Sequence, residues 1–203
     1  MTESGHPLSA DYFKTLFRKS FLDMREAANA VIVAAIIFCA GISIGLLYPS
    51  WSEEQLSALK TIAASLIGKS MHMIILTIFL KNSLAAAIAV ILGPLLGIAP
   101  VFGALSNGVL LGATLSQINR EDTMVFLLQL LPHGILEIPA IFMAWGIGIW
   151  QGAWFFQINR PHSFRDRTIK ALRIFFIIII PLLLCAAIIE GTLIYRLMLQ
   201  KQA

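Results

Sequence analysis

Long apolar runs, each about the length of a bilayer crossing, alternate along the chain with short polar links. The first covers residues 27–48, and four more are expected at 70–92, 101–117, 140–156 and 171–195. The pattern predicts an all-α fold, a polytopic membrane helix bundle of about five spans. Ahead of the first run, Phe13, Leu16, Phe17, Ser20, Phe21 and Met24 recur at helical spacing, while Lys14, Arg18, Lys19, Asp23 and Arg25 lie off that stripe. Such a segment reads as an interfacial amphipathic helix, with a soluble docking helix as the alternative. After Pro49, Ser52 stands as an N-cap with Gln55 three residues on, and Trp51 and Leu56 are placed as a hydrophobic staple. Leu56, Leu59, Ile62 and Leu66 then form one apolar stripe, so a second surface helix within 50–69 is expected to feed straight into the next span. The organisation is thus a single integral membrane domain, 1–203. It comprises an N-terminal interfacial segment 1–26, a first span 27–48, an external amphipathic helix 50–69 and a bundle 70–195.

Two stretches resist an uninterrupted helix. Gly93-Pro94-Leu95-Leu96-Gly97-Ile98-Ala99-Pro100 carries two prolines and two glycines. Residues 123–154, at about 1.5 Å per residue, would outrun a hydrocarbon core of about 30 Å. Pro132 and Pro139 bracket His133-Gly134-Ile135-Leu136-Glu137, so a broken or re-entrant helix is expected at 132–139. Close helix packing is signalled by four glycine pairs at i and i+4: Gly41 with Gly45, Gly93 with Gly97, Gly108 with Gly112, and Gly148 with Gly152. Together they indicate a tight bundle with one pair left over for a homodimer seam.

Composition narrows the classes. Apolar residues make up 58% of the chain and charged ones only 13%, and the mean hydropathy is +0.83. That charge cannot cover a water-facing surface, so a soluble enzyme is excluded and no aqueous domain fits. The net charge of +4 accompanies no basic face with interleaved aromatics, so no nucleic-acid partner is expected. Cys39 and Cys185 lie inside apolar runs and are expected to be buried and inert. The basic residues orient the chain instead. Lys14, Arg18, Lys19 and Arg25 precede the first span, and the loop 159–170 contains Arg160, Arg165, Arg167 and Lys170. The positive-inside rule puts both segments in the cytoplasm, which requires an even number of crossings between them. The expectation is a multi-pass cell-membrane protein with a cytoplasmic N-terminus, in which residues 124–137 do not cross independently.

Ionisable residues at membrane depth are expensive and face a partner or a wet cavity. Here they are Lys81, His133, Glu137 and Glu190, joined by the polar Asn82, Asn107 and Gln129, with His72 nearer an interface. On a helix, His133 and Glu137 stand one turn apart on one face. Three readings stay open for them: a structural hydrogen bond that knits a broken helix, a zinc or other divalent metal site with His72, Glu190 or a second protomer as further ligands, and a proton- or substrate-coupling site in a transport path. Without a second histidine in the manner of HExxH, a zinc peptidase is disfavoured. Asn82 and Asn107 are either interhelical hydrogen-bonding groups or substrate ligands.

At Phe79-Leu80-Lys81-Asn82, the Gly93 to Pro100 stretch, Ser106-Asn107-Gly108-Val109-Leu110-Leu111-Gly112 and above all Leu131-Pro132-His133-Gly134-Ile135-Leu136-Glu137-Ile138-Pro139-Ala140, the chain resembles the stage II sporulation protein M family. The resemblance implies a non-enzymatic integral membrane scaffold or assembly factor that localises cell-wall-remodelling partners, with bond cleavage belonging to those partners. The alternative from the residues themselves is a small transporter or channel-like protein with a polar or metal site at broken helices.

Overall fold

The computed structural model describes residues 10–118, 120–157 and 163–200, and the side chains of all of these except 10, 59, 60, 63 and 120–133. Every regular element among them is helical: α1 (Ala10–Glu26), α2 (Ala28–Leu47), α3 (Glu53–Leu66), α4 (Met71–Ile91), α5 (Ile98–Ser116), α6 (Arg120–Gly152), α7 (Phe164–Ile174) and α8 (Ile180–Gln200). Among the described residues, five stretches are long and apolar enough to cross a membrane: α2, α4, α5, Gly134–Phe156 and Phe164–Gln200. The chain is an all-α, multi-pass membrane bundle, as the hydrophobic pattern predicts.

Backbone proximity at glycines sets the packing. A Cβ added at Gly41 or Gly45 would run into the backbone of Leu105 and Val109, and one added at Gly108 or Gly112 would run into that of Phe38 and Ile42. The two registers advance together, so α2 and α5 are parallel neighbours. The second contact joins the turn after α4 to the end of α6, where Gly93 lies against Gly148, and Gly152 against Leu96 and Gly97. The four pairs therefore close on one another within the chain. No pair is left over for a dimer seam, because each glycine already has another helix or turn against its missing side chain.

The expected interruption at 93–100 is a tight turn in which Leu96 (φ 57°) and Gly97 (φ 72°) are both left-handed. Leu96 carries the steric cost of that region, of order 1–2 kcal/mol, and Pro100 sits in the first turn of α5, where a missing N–H costs nothing. The other expected break is not there. Residues 132–139 lie inside one helix, α6, whose backbone is helical from Arg120 to Gly152. Each proline removes a single donor, and the surrounding turns keep the ladder intact. At about 1.5 Å per residue α6 is longer than the core of about 30 Å.

Three further expectations are corrected. The surface helix does not run into the next span, because α3 ends at Leu66 and Gly68 takes φ 79° before α4 starts at Met71. Ser52 occupies the N-cap position but its Oγ donates back to the Pro49 carbonyl at 3.2 Å, so no capping box forms, and Trp51 stacks on Tyr48 with ring centroids 5.2 Å apart. Cys39 and Cys185 are exposed on the outside of the bundle; their apolar neighbours in sequence are satisfied by lipid as readily as by a protein core.

The expected basic loop 159–170 is helical from Phe164. Ser163 starts α7 by accepting from the Asp166 N–H at 3.2 Å while its hydroxyl donates to the Asp166 carboxylate at 2.7 Å. From there the helix runs on through a widened π turn at Phe175–Ile179 into α8. Pro181 follows at once; its ring crowds the carbonyl one turn back, and an extra residue in the turn relieves that crowding.

Candidate functional site

Among the described residues, the bundle holds a dense polar cluster that spacing did not single out. Starting α7 at Phe164 places Arg167, Ala171 and Ile174 on one face, and all three are buried. The Arg167 side chain, 2% exposed, donates from Nη1 to the Trp150 carbonyl at 2.6 Å and from Nη2 to the Gln157 side-chain oxygen, with its guanidinium 4.6 Å from the Trp150 ring centroid. The next two turns reach α1. Lys170 Nζ lies 2.6 Å from Glu26 Oε1, and Arg173 Nη2 lies 2.8 Å from Asp23 Oδ2. Asp23 and Ser20 are buried on α1, whereas Phe13, Phe17 and Phe21, the aromatic part of its stripe, face outward. The α1 helix is therefore clamped to α7 by charge while its aromatic edge is free to meet lipid, the arrangement of an interfacial helix.

This cluster is a clamp, since it ties α7 to α1 and to the end of α6, although Nε of Arg167 and of Arg173 is buried without a hydrogen-bond partner among the described residues. The readable signal was Ser163 three residues before Asp166, a capping pattern that would have extended the last helix back to Phe164. It also removes most of the basic loop as a docking surface. Of its residues, Arg165 is exposed, Arg167 and Lys170 are engaged, and Arg160 lies outside the described residues.

The predicted site residues are placed differently. Lys81 stands at the midpoint of α4, about 15 Å from either end at about 1.5 Å per residue, and is exposed. Among the described residues nothing accepts its protons. On insertion scales a lysine at that depth costs about 2.5–3.5 kcal/mol. Asn82 beside it is half-buried. Asn107 is exposed on α5 and donates to the Gly103 carbonyl of its own helix at 2.8 Å. Glu137 is half-buried on α6 with one carboxylate oxygen fully shielded from solvent. The continuous helix keeps it one turn from His133, whose side chain lies outside the described ones, as does that of Gln129. His72 is exposed at the start of α4, and Glu190 is half-buried on α8 beside Gly191, which packs against Ile75.

Among the described residues, surface grooves of about 320 Å³ and 460 Å³ open on the bundle. The first is lined by Ile189, Thr192, Leu193 and Arg196 on α8, the second by α1 and the segment around Pro181. None of the predicted site residues lines either. Among the described residues no three His, Cys, Asp or Glu side chains come together as a metal would require.

The motifs around Lys81, Gly93, Asn107 and His133 thus fall on α4, the turn, α5 and α6 of one bundle, and the family model described as Stage II sporulation protein M matches residues 34–193. The chain belongs to that family. The match covers all five spans in whole or in part and leaves α1 outside, so the clamp joins a segment beyond the family's common core to a helix within it. No curated protein and no solved structure matches the chain.

Proposed function

We propose that this stage II sporulation protein M family member is a non-enzymatic membrane scaffold or assembly factor that localises cell-wall-remodelling partners. The observation that carries the proposal is the dispersal of its membrane-depth polar groups: Lys81 and Asn107 are turned outward on different helices, and neither lines either of the two grooves described above. Groups presented sideways suit recognition of neighbours in the bilayer. The lipid bilayer is the medium in which such partners are met.

A cytoplasmic N-terminus belongs to the same reading. It is supported by the pairing of α1 with α7, which puts two basic segments at one end of the bundle. Homodimerisation, if it accompanies scaffolding, has to use a face other than the glycine pairs. The decisive experiment is isolation from native membranes after in-cell cross-linking. Cell-wall hydrolases should be recovered with the protein, while the pure protein in nanodiscs releases no soluble fragments from murein. Fragment release by the pure protein overturns the non-enzymatic assignment.

The transporter reading is favoured by Glu137, a carboxylate with one oxygen shielded inside a span. Solute or proton flux in liposomes that Glu137→Gln abolishes would replace the scaffold reading. Stoichiometric zinc in the purified protein, lost on His133→Ala, would establish the metal site instead.

A further inference from the structure

The clamp between α1 and α7 shows what this chain does with charges it needs for its own fold: it pairs them. Lys81 is treated otherwise. It lies at mid-membrane on the outward face of α4, with Leu80, Leu84, Ala85 and Ile88 exposed beside it. The helix holds it too deep for its ammonium to reach either interface by stretching alone, since each end of α4 is about 15 Å away at about 1.5 Å per residue. A buried lysine in a bundle would have a carboxylate or carbonyl; among the described residues this one has neither.

We propose that the α4 face centred on Lys81 docks a transmembrane helix of another protein that carries an aspartate or glutamate at the same depth. Charge complementarity selects that occupant. In the membrane interior a cation and an anion each gain from the other what water would have given them, and no apolar helix offers this. A second copy of this chain is disfavoured on the same ground. Two copies meeting about an axis along the membrane normal keep their depths, so this face would set Lys81 against Lys81. Ala85, one turn from Lys81, lets the incoming helix approach closely.

The inference rests on the scaffold reading, and its test separates the two. A photo-cross-linking residue is placed at Leu84 in the full chain in its native membranes, and a second at Trp51, far from this face. The expected result is a Leu84 adduct with a foreign transmembrane segment containing a mid-span acidic residue. The adduct should fall at least tenfold in Lys81→Met and persist in Lys81→Arg. Loss limited to Leu84, with Trp51 adducts unchanged, locates the effect on α4. A Leu84 adduct with a second copy, with lipid only, or with a segment lacking an acid overturns the proposal. So does an adduct indifferent to Lys81→Met. If Lys81→Met lowers the resistance of the bundle to heat or protease, Lys81 is an internal structural group and the proposal also fails. Partner adducts at Trp51 with none at Leu84 would leave scaffolding standing while removing this surface.

Discussion

The clamp at the α1 end and the middle of α4 hold charge in opposite ways. At the clamp, Arg167 is 2% exposed, yet it meets the Trp150 carbonyl, the Gln157 amide and the Trp150 ring, and Asp23 meets Arg173 beside it. On α4, Lys81 is exposed to the bilayer with no such company. A buried charge held by several partners serves the fold, and taking one partner away leaves the other desolvated. A charge on the outside at mid-membrane adds nothing to the protomer, so its benefit has to come from something the protomer does not contain.

The sharpest way to break that contrast is Arg167→Met. It leaves the Trp150 carbonyl and the Gln157 amide without their donor, and a loss of about 3–5 kcal/mol is expected. The midpoint of thermal unfolding in detergent, followed by fluorescence-detected size exclusion, measures it; a change under 1 kcal/mol would show that the clamp is not a structural unit. Asp23→Ala should come next, at about 1–3 kcal/mol, because the Arg173 guanidinium beside it is largely desolvated. In a double-mutant cycle with Arg173→Ala, independent effects would dissolve the pair.

Smaller still is Glu26→Gln. The carboxylate side chain is 35% exposed and its bond to Lys170 is screened, so about 0.2–1 kcal/mol is expected, decreasing with added salt. Protease sensitivity of the α1 to α2 junction at two ionic strengths reads it out. Smallest of all is Lys81→Met in the isolated protomer, where unfolding should change by no more than about 0.5 kcal/mol. A destabilisation as large as that of Arg167→Met would erase the difference between the two regions.

Much of the bundle was legible because membrane helices announce themselves locally. Residues 27–48 and 70–92 were read within one residue of α2 and α4 at each end, since a run of that length has only one stable conformation in lipid. The turn at 93–97 was legible for a related reason: Pro94 and Gly97 restrict or relax specific backbone angles whatever surrounds them. Residues 132–139 misled because a proline's local cost is small beside the many hydrogen bonds of a long helix. The site was less legible. Lys81 was picked out by its depth, but only its outward direction on α4 distinguishes a recognition surface from an internal pair.

The sequence alone determined the class of the protein, its five spans, its helical secondary structure and the residues whose chemistry does not suit lipid. Each of these follows from the free energy of moving a side chain or a peptide group between water and hydrocarbon, a property of the segment itself. Tertiary structure decided which glycine pair closes on which, that Cys39 and Cys185 face outward, that Arg167 is buried while Lys81 is exposed, and that α1 is tied to α7. Those outcomes depend on which helices come within a few ångströms of each other. A helix of apolar residues can turn any side toward lipid at nearly equal cost, so only the contacts between helices choose among them.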